Sequence, residues 1–110
     1  MKQYVIDELR PADHIKIKAY LENHHAVPGF EGLYYIHLAD ELLADMQRAH
    51  LDCRPHYFAL ELFPDRLTCE LLVRTRQRIS CQCIQYATAN QRNWLIEQVD
   101  TLLQRLSIIT

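Results

Sequence analysis

The sequence predicts an α+β protein: a two-layer sandwich with helices mainly on one face of a mixed sheet that ends in a three-stranded antiparallel meander. Three observations lead there. Apolar residues recur at helical spacing in segments near the two ends of the chain, around 11–24 and 89–106. Segments around 33–38 and 56–86 instead alternate with period two and carry aromatic and β-branched residues. The resulting order, β-α-β-α-β-β-β-α, joins an alternating start to a run of strands, and helices gathered on one side of a sheet are the simplest way to bury both.

Tyr4-Val5-Ile6 reads as the first strand. Pro11 suits the first turn of a helix, where its missing N–H costs nothing, and Ile17, Tyr20, Leu21 and His24 carry that helix to about residue 24. Val27-Pro28-Gly29-Phe30 is turn chemistry. Leu33 to Leu38 alternates as a second strand. Ala39 to His50 is expected to be helical, with Leu42, Met46 and Ala49 as its stripe and Asp40 and Glu41 in the first turn, where the helix dipole favours them. Leu51 to Pro55 breaks that helix. Strands follow at His56–Phe63, Leu67–Arg74 and Ile79–Tyr86, separated by Pro64-Asp65 and by Thr75-Arg76-Gln77. Thr88 with Gln91 forms a capping-box signal for a last helix from Ala89 to Leu106, lined by Leu95, Val99, Leu102 and Leu106.

A chain of 110 residues reads as a single domain, 1–110. A chain this size buries about two thirds of its unfolded surface, enough for its own core. Its net charge of −2, with both signs interspersed, supplies no field to gather polyanions. The chain has only two glycines, so neither a phosphate-cradling loop nor a dinucleotide fold can be built. The first residues lack the apolar core of a signal peptide, and no run approaches the ~18 apolar residues of a membrane span. The expectation is a cytoplasmic protein with its four cysteines reduced, no cofactor and no membrane contact.

The sharpest chemical question is posed by Cys69, Cys81 and Cys83. Pairing Val73 with Ile79 sets Leu71 opposite Cys81 and Cys69 opposite Cys83, which brings all six residues to one sheet face. In the preceding hairpin, Leu62 opposite Leu67 sets Leu60 against Cys69 and Phe58 against Leu71. Cysteines in that position are small core hydrophobes. The alternatives are a thiolate metal site and a Cys69–Cys83 disulfide. On a regular strand Cys81 and Cys83 stand ~6.8 Å apart, too far to share a metal with bonds of ~2.3 Å unless the strand kinks. His56 shares the face but lies about 13 Å along it.

A second candidate set is His50, Cys53 and His56, at three-residue steps in the break before the meander, with His37 as a further ligand. The spacing matches no common zinc pattern, and a surface loop is the preferred reading. His24-His25 looks like a helix end. Arg74, Arg76 and Arg78 surround a turn, with Arg92 near; a solvated charged turn is preferred over an anion or nucleic-acid contact. On the outer face of the meander, Tyr57, Phe63, Leu72, Ile84 and Tyr86 would be exposed if helices cover only the inner face, and an apolar patch of that kind marks an interface.

Three functions compete on this reading. The favoured one is a non-enzymatic interaction module that dimerises or captures another protein through its open sheet face or edge. The alternative is a thiol or metal protein using either cysteine set. A hydrolase or transferase, with His37 as base beside Asp40 or Glu41, is the third; no nucleophile elbow or paired zinc histidines support it.

Overall fold

The computed structural model describes every residue except Met1, Arg78 and Thr110. It contains β1 (Gln3–Ile6), α1 (Pro11–His24), β2 (Ala26–Val27), β3 (Phe30–His37), α2 (Asp45–Arg48), β4 (His56–Leu62), β5 (Leu67–Glu70), β6 (Leu72–Thr75), β7 (Gln85–Tyr86) and α3 (Ala89–Arg105). Single 3-10 turns at Asp40–Leu42 and Leu51–Cys53 flank α2. The fold is the expected α+β sandwich. Its sheet runs β1-β5-β4-β3-β2, with β6 beside β4 and β7 beside β6.

Every described strand pair is antiparallel, where crossovers between the early strands would have made the sheet mixed. The reason lies in the turns. Gly29, at a φ of 84°, reverses the chain between β2 and β3, which pair as a hairpin. β1 pairs with β5, whose other edge is taken by β4.

Leu60 opposes Cys69 and Leu62 opposes Leu67, as the alternation predicts. Further along the same edge, Tyr57 opposes Arg74 and His56 opposes Thr75. The register has therefore slipped by two residues, and the predicted pairing of Phe58 with Leu71 is not made. Leu71 leaves the ladder: its N–H donates to the Lys2 carbonyl at 3.0 Å, and its carbonyl accepts from the Ala87 N–H at 2.8 Å. An even slip keeps side chains on the same face, so Val73 is still fully buried.

The expected strand Ile79–Tyr86 shrinks to β7, which pairs Leu72 with Tyr86 and Val73 with Gln85. None of the expected pairs Val73–Ile79, Leu71–Cys81 and Cys69–Cys83 forms. Residues 76–77 and 79–84 instead lie off the sheet, an excursion with Ile79 99% exposed. The polar stretch Ser80-Cys81-Gln82-Cys83 has few strand-forming side chains, and the Ile84 N–H turns back to the Cys81 carbonyl at 3.0 Å in place of a ladder bond.

The segment 39–50 also departs from expectation. Leu43 and Ala44 are extended, and only Asp45–Arg48 is α-helical. The Gln47 side chain accepts from the Ala44 N–H at 2.8 Å and is itself fully buried, while Met46 and Ala49 of the predicted stripe face solvent. At the last helix, both halves of the capping box are present: the Gln91 N–H donates to Thr88 Oγ1 at 3.2 Å, and the Thr88 N–H to Gln91 Oε1 at 3.1 Å.

One core holds the layers together. Tyr34, Ile36, Phe58, Leu60, Leu67 and Cys69 present one sheet face to Ile17 and Leu21 of α1 and to Leu95, Val99 and Leu103 of α3. On the other face Ala59 is half-buried and His37 and Glu61 are exposed.

Candidate metal centre

Cys53, on the turn after α2, comes together with Cys81 and Cys83, on the excursion before β7. Their sulfurs all fall within 4.8 Å of one another, and Cys53 and Cys81 are 3.9 Å apart. Three sulfurs bound tetrahedrally at ~2.3 Å from one zinc would sit about 3.8 Å apart. The cluster is therefore close to the dimensions of a tri-thiolate site.

Local structure explains the convergence. The 3-10 turn after α2 is closed by the Cys53 N–H on the His50 carbonyl at 2.9 Å. Thr75, buried at the end of β6, donates its hydroxyl to the Cys53 carbonyl, and the Gln77 N–H donates to Thr75 Oγ1 at 3.3 Å. The start of the excursion is thus tied to the turn that carries Cys53. At its end, the Cys83 N–H donates to Cys81 Sγ at 3.5 Å, which is the kink a two-residue cysteine spacing needs.

Two buried glutamines support the cluster from beneath. Gln47 Nε2 donates to the Cys83 carbonyl at 3.5 Å, and Gln91 Nε2 donates to Gln47 Oε1 and to the Leu42 carbonyl, each at 2.8 Å. The chain is thereby linked from the first turn of α3, through α2, to the excursion. The sequence flagged Gln91 only as a cap and missed Gln47 and Thr75. The repeated spacing Ala44-x-x-Gln47 and Thr88-x-x-Gln91 was the signal available.

The electrostatics divide the thiols. The Cys83 N–H and thiol, with Cys53 and the nearby His50 ring, draw the Cys81 thiol below its ordinary pKa. Burial, with the neighbouring sulfurs, pushes Cys83 up to about 12. Cys53 and Cys83 are sealed from solvent, whereas Cys81 is half-buried and gives access to the group. His50 borders the site: its Nδ1–H donates to the Met46 carbonyl at 2.7 Å, so Nε2 keeps its lone pair. A metal-bound imidazole is usually fixed in this way.

The structure thus joins Cys81 and Cys83 of one sequence-predicted set to Cys53 of the other. Cys69 is excluded: it is fully buried between Leu60 and Tyr4, and burial with Asp100 nearby pushes its thiol up to about 12. His56 is buried in β4, and neither ring nitrogen has a hydrogen-bond partner among the described residues. Burial lowers its pKa and keeps it neutral. His37 stands edge-on to Tyr57 at 6.3 Å, while Asp40 is engaged by Arg54 at 3.2 Å. His24 stacks on Tyr20 at 4.2 Å at the end of α1.

The outer-face aromatics are not one open patch. Tyr57 is 6% exposed and stacked on Tyr35 at 3.9 Å, because the excursion folds back so that Arg76, Gln77 and Ile84 border the same cleft of about 480 Å³. Phe63 lies under the Arg66 guanidinium, Leu72 and Ile84 are half-buried, and Tyr86 is exposed beneath Lys2. Arg74 is held by Glu70 at 2.5 Å, Arg76 covers the Tyr35 ring, and Arg92 bonds Asn93. Arg78 lies outside the described residues. Among the described residues no helix is long and apolar enough to cross a membrane. Comparison with known protein families, with curated proteins and with solved structures finds no match.

Proposed function

We propose that the chain is a thiolate metal-binding protein in which Cys53, Cys81 and Cys83 hold one zinc-class ion and His50 supplies the fourth ligand. One observation supports this reading above the rest: sulfurs 28 residues apart in sequence lie at the spacing a shared metal requires. Soft thiolates select zinc or copper(I) over magnesium and calcium. The ion's work is structural. It clamps the excursion to the turn after α2, and its binding energy adds to folding. Free thiols of this kind belong in a reducing compartment, for which the cytoplasm is the natural setting.

The test is metal stoichiometry by elemental analysis, with cobalt substitution to reveal thiolate-to-metal charge transfer. One ion per chain is expected, lost in Cys53→Ser, Cys81→Ser and Cys83→Ser and kept in Cys69→Ser. Equal loss in Cys69→Ser, or no ion in the unmutated protein, refutes the reading.

A second reading, self-association, is favoured by β1. It ends the sheet, its outer edge has no strand partner among the described residues, and Val5 on it is 41% exposed. Light scattering decides this: a strict monomer at high micromolar concentration removes it.

A further inference from the structure

We infer that Cys81 is an oxidation site, that Cys53 resolves it as a disulfide, and that peroxide thereby empties the metal centre. The last clause rests on the metal reading; the thiol chemistry stands without it.

The geometry assigns the roles. Cys81 is the half-exposed sulfur of the three, so an incoming peroxide meets it first. Cys53 is fully buried and cannot be the first target, but its sulfur is 3.9 Å away. A disulfide needs about 2.05 Å, a closure within reach of modest side-chain rotation. Cys81 sits on the excursion, where residues 79–84 are off the sheet, so moving it breaks no ladder. Cys83 is less suited to the second step. A link to Cys81, only two residues away, would close a small, strained ring, and the Cys83 N–H already donates to Cys81 Sγ.

The chemistry balances with hydrogen peroxide as the oxidant. The Cys81 thiolate attacks one peroxide oxygen and breaks the O–O bond. Sulfenic acid forms on Cys81, and hydroxide leaves to become water. The Cys53 sulfur then attacks the Cys81 sulfur, displaces its hydroxyl as a second water and yields the disulfide. Two thiols are oxidised by two electrons and one peroxide is reduced to two waters. A thiol or dithiol reductant reverses the result by exchange. Two of the three thiolates are consumed, so the remaining donors no longer suffice for a tetrahedral ion.

The test begins with the chelator-treated, metal-free chain. It is exposed to stoichiometric hydrogen peroxide, blocked with an alkylating agent and mapped as peptides by mass spectrometry without reduction. A linked Cys53–Cys81 pair is expected, with Cys69 recovered as free thiol. Cys53→Ser should instead accumulate sulfenic acid at Cys81, trapped by dimedone, and Cys81→Ser should slow thiol loss at least tenfold. A Cys81–Cys83 link, first oxidation at Cys69, or no disulfide overturns the proposal. The zinc-loaded chain is then treated in the same way with a chromogenic chelator present. Release of one zinc in step with disulfide formation, and rebinding after dithiothreitol, is expected. Disulfide formation with zinc retained overturns the coupling. A chain that binds no zinc but still forms the Cys53–Cys81 link defeats the metal reading and leaves the oxidation site standing.

Discussion

Replacing Gln91 with leucine should weaken both the fold and the metal centre, by amounts that can be worked from its contacts. The side chain is 1% exposed and makes three hydrogen bonds: two donated, to Gln47 Oε1 and the Leu42 carbonyl, and one accepted from the Thr88 N–H. Leucine has nearly the same volume, so no large cavity opens and the cost is mainly polar. Three neutral bonds at about 1 kcal/mol each sum to ~3 kcal/mol. Leucine's added apolar burial returns about 1 kcal/mol of this. Solvent reaches Thr88, which is exposed, so its N–H is not stranded. Gln47 Oε1 keeps the Ala44 N–H but loses its partner in the buried half of the network.

The expected loss is therefore about 2 kcal/mol, or roughly 8–10 °C in Tm for a domain of this size. Urea titration of the metal-free chain measures it. The same substitution frees the Gln47 amide that holds the Cys83 carbonyl, so affinity for zinc at the proposed centre should fall by up to about tenfold, the low end of the effect of losing a group that supports a metal ligand. A change under 0.5 kcal/mol would show that these bonds are replaced by water at no cost, and the reasoning fails. A full loss of stability with unchanged zinc affinity would separate the network from the centre.

The other predictions concern acid, protons and the core. His56 is held neutral by burial, so the unfolded chain binds more protons than the folded one as pH falls through about 6.5, its ordinary value. Its contribution to stability therefore declines below that pH; His56→Leu should flatten the slope between about pH 7 and 5, and an unchanged slope in paired urea titrations would show that other groups carry it. Asp13 behaves like an ordinary depressed carboxylate: Arg10 draws its pKa down, so the stability it contributes is present above the unfolded value of about 3.9 and is lost as pH falls through the lower folded one. Asp13→Asn should remove that acid-limb decline, so that its stability curve converges with that of the unmutated chain as pH falls; parallel curves would show that Asp13 carries none of the decline. Cys83, pushed up to about 12, is protonated at neutral pH without metal, so zinc binding should release at least one proton. Calorimetry in buffers of different ionisation enthalpy reads this number, and a value of zero contradicts thiolate ligation. Phe58→Ala, at a fully buried core position, should cost about 3–5 kcal/mol by chemical denaturation; a cost under 1 kcal/mol would place the core elsewhere.

What could be read from the sequence, and what could not, follows from the range of the interactions involved. The first helix, the last helix and its cap, and the Leu60–Cys69 register are fixed by neighbours a few residues away, and their residue types declare them. The pattern failed where a polar side chain does a distant job. Gln47 looks like the solvent side of a helix, yet it is buried because Gln91, 44 residues on, satisfies it. That bond sets the face of α2, strands Met46 in solvent and turns the predicted long helix into one turn.

The same cause undid the cysteine row. Alternation along Ile79–Tyr86 is a valid strand signal, and with a strand there Cys69 would have been the natural partner of Cys83. The strand loses because Thr75 is drawn to the Cys53 carbonyl and the Cys83 carbonyl is drawn to Gln47, so both ends of the excursion are claimed by the segment between β3 and β4. Of the two candidate sets, His50-Cys53-His56 and Cys69-Cys81-Cys83, each contains one residue, His56 or Cys69, that the structure keeps apart from the sulfur cluster for the same reason. A core strand holds Cys69 and His56 by their backbones, while loops leave Cys53, Cys81 and Cys83 free to meet. Thiols gathered by loops have the freedom that the proposed exchange between an ion-bound and a cross-linked arrangement needs, which cysteines fixed in core strands lack. The excursion from the sheet is thus what makes the site chemically usable, and the buried glutamines are what make its position definite.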